Sequence, residues 1–275
     1  MGAPGRQGAS RREGCRDASS GSPYAVGVTD QADGPGAETL EVERKYEAGV
    51  ELRLPDAEAF RAAGFEAGAP VVQQLSARYF DTPEGDLARR GFAVRSRHGG
   101  KDAGWHMKQR TEGGNRELLW PHGDEMPAEL RREIEARIGV SPDRLVPIAA
   151  LETRRTTVVL RHDGREVVEL ADDRVRAREG ATGVRRAWRE WEAELLPGAG
   201  IGADAADPEG AALLDRVEAV LLAAGATPSL SFAKIARATG QLVAVARAKG
   251  ASEELLAALQ RLDASDQRAA RSLEP

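Results

Sequence analysis

From Leu40 onward, charged and apolar residues alternate with a period of two. In Glu41-Val42-Glu43-Arg44-Lys45-Tyr46, an extended strand puts Glu41, Glu43 and Lys45 on one face. Glu190, Glu192 and Glu194 share a phase in Glu190-Trp191-Glu192-Ala193-Glu194-Leu195, and Arg95 and Arg97 share one in Phe92-Ala93-Val94-Arg95-Ser96-Arg97. A solvated edge strand accounts for one such triplet. Recurrence on several strands asks for more, because an unpaired buried charge costs several kcal/mol and such a face has to line a wet cavity or hold ions. Acids and bases from different strands converge only if the sheet curls until its faces meet, as in a closed antiparallel barrel.

The same periodicity places the other elements. Extended structure continues over Val50–Leu54, and Pro55–Phe60 opens a short helix with proline in its first turn. Strands are predicted over Val71–Phe80, Phe92–His98, Gly104–Arg110 and Asn115–Trp120, then Leu151–Leu160, Glu166–Ala171 and Ala187–Leu196. Asp163-Gly164 is a hairpin turn between two of them. Pro127–Ile138 and Asp207–Ala224 have the helical period, the second with Leu213, Leu214, Val217, Val220 and Leu221 on one side. About eight strands with helices laid over them make an α+β protein whose barrel can enclose a small ligand.

Composition narrows this picture. Residues 1–37 are small and polar, so they cannot bury enough surface to offset the entropy of ordering, and a disordered leader is expected there. Residues 38–240 form the predicted domain, and 241–275 a short helical tail with an N-cap serine, Ser252. Cys15 is the single cysteine, which excludes an intramolecular disulfide framework and suits a reducing cytosol. No apolar run is long enough to span a membrane, no secretory signal opens the chain, and the net charge of −5 argues against a generic nucleic-acid coat. A cytoplasmic protein is expected. Arginines outnumber lysines 34 to 5, and three of the lysines, Lys45, Lys108 and Lys234, fall inside charged motifs.

Taken in order, Glu41-x-Glu43-x-Lys45, Tyr79-Phe80-Asp81-Thr82, Gly91-Phe92-Ala93-Val94-Arg95-x-Arg97, Trp105-x-x-Lys108, Arg116-Glu117, Arg154-Arg155, Glu169 with Asp173, Glu192-x-Glu194 and Ser231-x-x-Lys234 form a series. It resembles that of the CYTH superfamily, the triphosphate tunnel metalloenzymes, and in particular the CYTH portion of bacterial CYTH/CHAD proteins. The resemblance implies a closed eight-stranded antiparallel tunnel, open at both ends, with helices packed outside. By similarity Glu43, Glu192 and Glu194 hold a principal Mg or Mn ion, and Glu41 places a second ion or the attacking water. Glu169 and Asp173 complete the acidic side. Lys45, Arg95, Arg97, Lys108, Arg116, Arg155 and Lys234 bind phosphate, with Glu41 and Lys45 nearest the chemistry.

The chemistry is consistent with those residue types. A triphosphate repels a nucleophile until cations neutralise its oxygens, and carboxylates suit a hard metal. Parity sets the bland reading beside each assignment. Arg154 and Arg155 face opposite sides, as do Arg116 and Glu117, and Arg155 is the favoured member of the first pair. Glu190 can be a surface carboxylate at the mouth, Trp105 and Trp191 pack outside, and the four histidines show no metal-ligand spacing.

The expectation is a metal-dependent triphosphatase acting on inorganic tripolyphosphate. A nucleoside or thiamine triphosphatase, a class IV-like adenylyl cyclase and a non-catalytic polyphosphate-binding protein are the alternatives. The implied partner is a small triphosphate or polyphosphate, with no membrane or nucleic acid and a homodimer as a candidate assembly.

Overall fold

The computed structural model describes residues 1–2, 37–111, 113–197 and 207–273. The expectation for the leader, Cys15 included, falls almost wholly outside the described residues. The chain divides into two compact units, Met1–Asp33 and Gly34–Pro275, and all that follows concerns the second.

Among the described residues eleven strands form one sheet: β1 (Ala37–Glu41), β2 (Glu43–Glu47), β3 (Glu66–Ala67), β4 (Val71–Asp81), β5 (Phe92–His98), β6 (Gly104–Thr111), β7 (Gly114–Pro121), β8 (Val146–His162), β9 (Arg165–Glu179), β10 (Arg185–Leu195) and β11 (Thr227–Pro228). The helices are α1 (Ala57–Ala62), α2 (Asp86–Arg89), α3 (Ala128–Ile138), α4 (Pro208–Ala223), α5 (Lys234–Ala238), α6 (Leu242–Ala248) and α7 (Glu253–Ser272). Every strand pair is antiparallel, in the order β1-β7-β6-β5-β4-β8-β9-β10-β2-β11, with β3 added beside β8.

This is not the closed eight-stranded barrel expected, because the hydrogen-bonded path is open. The reason lies at Val42. The predicted first strand breaks there, so that β1 pairs with β7 and β2 pairs with β10, near the opposite end of the path. The Val42 carbonyl accepts from Leu195 N–H at 2.9 Å. The sheet nevertheless curls. On a flat sheet β5 and β9, three strands apart, lie about 14 Å from each other, yet Lys101, just after β5, reaches Glu169 of β9 at 2.8 Å.

Where helices cover it, the convex face is apolar. Trp191, Ala193 and Leu195 of β10 pack with Tyr46, Leu170 and, on α4, Leu213, Leu214, Val217 and Leu221. Asp207 caps α4 by accepting from Glu209 N–H at 3.1 Å, and Pro208 sits in its first turn. A second layer joins Val94, Trp105, Met107, Leu118 and Trp120 to Leu130, Ile134 and Ile138 of α3. Each such side chain contributes about 1.5–3 kcal/mol on full burial. Asp81 is also structural: its carboxylate accepts from the N–H groups of Thr82, Leu87 and Ala88 and fixes the start of α2.

The concave face divides in two. One part is charged. The other is filled by Tyr79, Leu151, Val175, Ala177 and Trp188 against Ala238 of α5, so it is packed rather than open, contrary to a passage open at both ends. One sequence expectation changes for a local reason. Val50–Leu54 is irregular rather than extended, because the Gly49, Val50 and Leu52 carbonyls accept from Arg189 Nη1 at 2.9, 3.3 and 2.6 Å. The tail docks on the sheet: Arg237, 2% exposed, binds Asp266 of α7 at 2.7 Å and Glu47 of β2 at 2.8 Å. Arg186 binds Asp263 at 2.6 Å.

Candidate active site

Cross-strand register lays the charged residues in rows on the concave face. Glu43 of β2 stands beside Glu194 of β10, which stands beside Glu169 of β9. In the next row Lys45 stands beside Glu192, and in the next Glu190, Asp173 and Arg155 follow one another across β10, β9 and β8. From the other side of the curl β6 and β7 bring Lys108 opposite Glu117, and β5 brings Arg95 and Arg97. Gly114 admits β1 to this group. Its φ is +133°, and a Cβ there would lie 2.4 Å from the Glu41 carbonyl oxygen, so only glycine lets the β6–β7 turn approach Glu41 so closely.

The cations and carboxylates interleave. Lys45 pairs with Glu43 at 2.7 Å and hydrogen-bonds Glu192. Lys234 Nζ lies 2.8 Å from Asp173, Glu190 and Glu192 alike, the contact to Glu190 lacking hydrogen-bond alignment. Arg155 grips Asp173 at 2.6 and 2.7 Å and reaches Glu192 at 2.8 Å. Lys108 pairs with Glu41 at 2.5 Å and Glu117 at 3.3 Å. Arg95 donates to the Tyr79 hydroxyl at 3.2 Å, and Arg97 binds the Asp102 carboxylate and, at 3.0 Å, its carbonyl. A cavity of about 20 Å³ beside Arg97, Arg155 and Glu169 has room for about one water. An anion that reaches these cations exchanges with the carboxylates now paired to them.

Burial and pairing set the protonation states. Burial opposes the charge on Lys45, and Glu192 and Glu43 more than offset it, so the ammonium is held above its usual range. Lys234 is held well above its range by Asp173, Glu190 and Glu192 in the same way. Burial raises Glu192, but Lys234, Lys45 and Arg155 take it well below the carboxylate range. Glu41 and Glu194 behave differently. Burial pushes Glu41 up to about 8 despite Lys108, with Glu117 adding to the rise. Burial pushes Glu194 up to about 7 despite Lys108, with Glu43, Glu192 and Glu169 crowding it. Among the described residues Glu194 has no ion-pair partner.

That difference bears on a metal. Asp173, Glu190 and Glu192 offer oxygens within 4.8 Å of one another, as a hard cation needs, but Lys234 already bridges all three. The row Glu43, Glu194 and Glu169 supplies three further carboxylates, of which Glu43 pairs with Lys45 and Glu169 with Lys101. Carboxylate oxygens are the donors a hard divalent cation takes, and among the described residues the three that come within 4.8 Å of one another belong to Asp173, Glu190 and Glu192.

Of the sequence-predicted residues, Glu41, Glu43, Lys45, Arg95, Arg97, Lys108, Arg155, Glu169, Asp173, Glu192, Glu194 and Lys234 share the concave face. Arg116 does not. Its side chain is 58% exposed and lies 3.4 Å from Glu38, because the register that sets Lys108 opposite Glu117 turns Arg116 to the convex side. Sequence reasoning missed Glu117, although parity from Lys108 across the short β6–β7 turn identifies it. It also left Glu190 at the mouth, whereas that side chain is 0% exposed. His106, bound to Glu117 at 2.8 Å and to the Asp102 carbonyl at 2.9 Å, orders the same wall. Burial, then Arg95, lowers His106 to about 4, so the imidazole is neutral and donates to only one of these two acceptors.

The sequence profile of the CYTH domain matches residues 39–195. The chain belongs to the CYTH domain family. CYTH domain proteins are typically triphosphatases or cyclases and are metal-dependent. Two uncharacterized proteins of Mycobacterium tuberculosis, from strains CDC 1551 / Oshkosh and ATCC 25618 / H37Rv, are each 38% identical over 221 residues, which is 74% of this chain and 41% of theirs. The chain thus spans less than half the length of these curated relatives. Among solved structures, a Bacillus halodurans protein assigned as an adenylate cyclase is similar at a TM-score of 0.48 and 16% identity, covering 73% of this chain and 97% of that one. A Hippeastrum protein assigned as an adenylyl cyclase, and described as having a dominant triphosphatase activity, is similar at 0.40 and 20%, covering 78% and 99%. Among the described residues of this CYTH protein no helix is long and apolar enough to cross a membrane.

Proposed function

We propose that this CYTH protein is a metal-dependent triphosphatase that hydrolyses inorganic tripolyphosphate to pyrophosphate and phosphate, with the charged part of the curled sheet as the wall against which the substrate lies. The observation that carries the reading is the interleaving of Lys45, Lys108, Arg155 and Lys234 with carboxylates in a buried face. An anion with several phosphates takes the place of those carboxylates on the cations, through charge-assisted hydrogen bonds. Glu43 and Glu192, so released, join Glu194 and Glu169 as the carboxylates suited to hold Mg or Mn.

When bound, such an ion polarises a phosphoryl oxygen and offsets charge in the transition state. The chain's own residues position the substrate, which is most of what phosphoryl transfer requires. Lys45, Arg155 and Lys234 hold one end of the phosphate chain, and Arg95, Arg97 and Lys108 the other. Glu41 orients the attacking water. Water adds to the terminal phosphorus, the bridging P–O bond breaks, pyrophosphate departs with the bridging oxygen, and the proton that the water loses ends on a product phosphate oxygen.

Phosphate release from tripolyphosphate, ATP and thiamine triphosphate, each with Mg or Mn, tests this. Fastest release from tripolyphosphate is the expected result. Faster release from either organic triphosphate overturns the substrate, and tight tripolyphosphate binding without release under either metal overturns the enzyme in favour of a polyphosphate-binding protein.

A further inference from the structure

The convex face of β4, β8, β9 and β10 carries a second concentration of charge, turned away from the candidate active site. Register sets Arg154 beside Arg174, Arg178 beside Arg185, and Arg78 and Arg178 on either side of Ala150. Arg176 lies between Arg174 and Arg178 on the same face of β9. All six arginines are exposed. Arg78, Arg154, Arg174, Arg176 and Arg178 make no hydrogen bond or ion pair among the described residues. Within the array the acid is Glu152, and Asp172 beside it is taken up by Arg189 at 2.7 and 2.9 Å.

Like charges directly opposite on neighbouring strands destabilise a sheet, and the chain as a whole is acidic, with a net charge of −5. The arginine array therefore runs against both local stability and composition. The expectation of no nucleic-acid partner rests on net charge, which averages this segregation away.

The array has a size and a chemistry. Outward positions on a strand recur about every 6.8 Å, so Arg174 to Arg178 spans about 14 Å, and β4 to β10 is about 14 Å across. Its other members, Gln74, Ser76, Ala150, Glu152 and Ala187, include no aromatic or large aliphatic side chain. Aromatic side chains border it only at the β4 edge, where Phe80 and Trp105 line a cavity with Arg78 and Ala150, so the array itself has neither the central aromatic anchor of a protein interface nor the stacking platform that single strands use. Guanidinium forks match phosphate oxygens. A two-dimensional array of them suits a partner whose phosphates also lie in two lines, as the strands of a duplex do across a minor groove about 6 Å wide.

We propose that this face binds the phosphate backbone of double-stranded nucleic acid without reading its sequence. The proposal is independent of the catalytic reading, since the two faces of the sheet are separated by its backbone.

The test is binding of a random-sequence DNA duplex to the full chain, read by fluorescence anisotropy over a salt series. Affinity is expected to fall steeply with salt. Arg174→Ala/Arg176→Ala/Arg178→Ala lowers the slope of log affinity against log salt by about 2.7, at about 0.9 for each phosphate no longer neutralised. The control Arg261→Ala/Arg268→Ala/Arg271→Ala removes the same charge from exposed positions of α7, the helix whose Asp263 binds Arg186 of the concave face, and leaves the slope in place. If the first variant folds poorly, Arg78→Gln/Arg154→Gln gives a drop of about 1.8. No binding at low salt, equal loss in the α7 control, or capture of inorganic polyphosphate or polyglutamate but not duplex overturns the proposal.

Discussion

On β10, Trp191 and Ala193 are fully buried beneath α4, while Glu190 and Glu192, their alternates on the same backbone, are buried almost as deeply on the concave side. The apolar side is stabilised by the area it removes from water. The acidic side is held by pairing, with Glu190 and Glu192 both reached by Lys234. A paired buried charge is commonly no more stable than an apolar residue of like volume, and breaking the pair is costly. Stability therefore accounts for Trp191 and Ala193 but not for a row of glutamates, whose retention calls for a ligand.

Perturbing one side at a time breaks the comparison apart. Glu192→Ala leaves Lys45, Arg155 and Lys234 short of a partner at once, and a loss of about 3–5 kcal/mol in urea unfolding is expected, together with loss of turnover. A loss below about 1 kcal/mol contradicts the pairing. On the apolar side Leu195→Ala costs about 2–5 kcal/mol in the same measurement, and the folded fraction keeps its KM for tripolyphosphate. A raised KM places Leu195 in the site. Arg97→Ala removes charge-assisted contacts worth about 1.5–3 kcal/mol, so kcat/KM falls by that equivalent with little change in melting temperature; unchanged kinetics remove Arg97 from the substrate path. The smallest effect belongs to Arg116→Ala, which lies on the convex side, and both stability within about 0.5 kcal/mol and wild-type kinetics are expected. A large kinetic defect there restores Arg116 to the site.

Parity made much of this legible. Charges two apart mark one face wherever the strand is regular, which is why Glu192 and Glu194, or Arg95 and Arg97, are readable from residue order alone. The same rule decides Glu117 over Arg116 once β6 and β7 are paired, but the register belongs to the turn, not to either strand. β9 extends to Glu179 and not Ala171, since Asp172-Asp173-Arg174-Val175-Arg176 reads as a charged run until Val175 and Ala177 are seen packing against Trp188. Val50–Leu54 looks like a strand by composition, and its carbonyls are taken by Arg189, 137 or more residues away. Nor does the sequence around Glu190 disclose Lys234 and Arg237, which approach from α5 and hold it in the interior.

The central claim is that the charged half of the concave face is a metal-dependent triphosphate site centred on Glu194. Phosphate release from tripolyphosphate by wild type and Glu194→Gln, with and without Mg or Mn, tests it most directly. The account predicts metal-dependent release by the wild type and a loss of at least about a hundredfold in the variant, near 2.7 kcal/mol of transition-state stabilisation, with an unchanged melting temperature. Equal release by the two proteins, or release indifferent to metal, contradicts it.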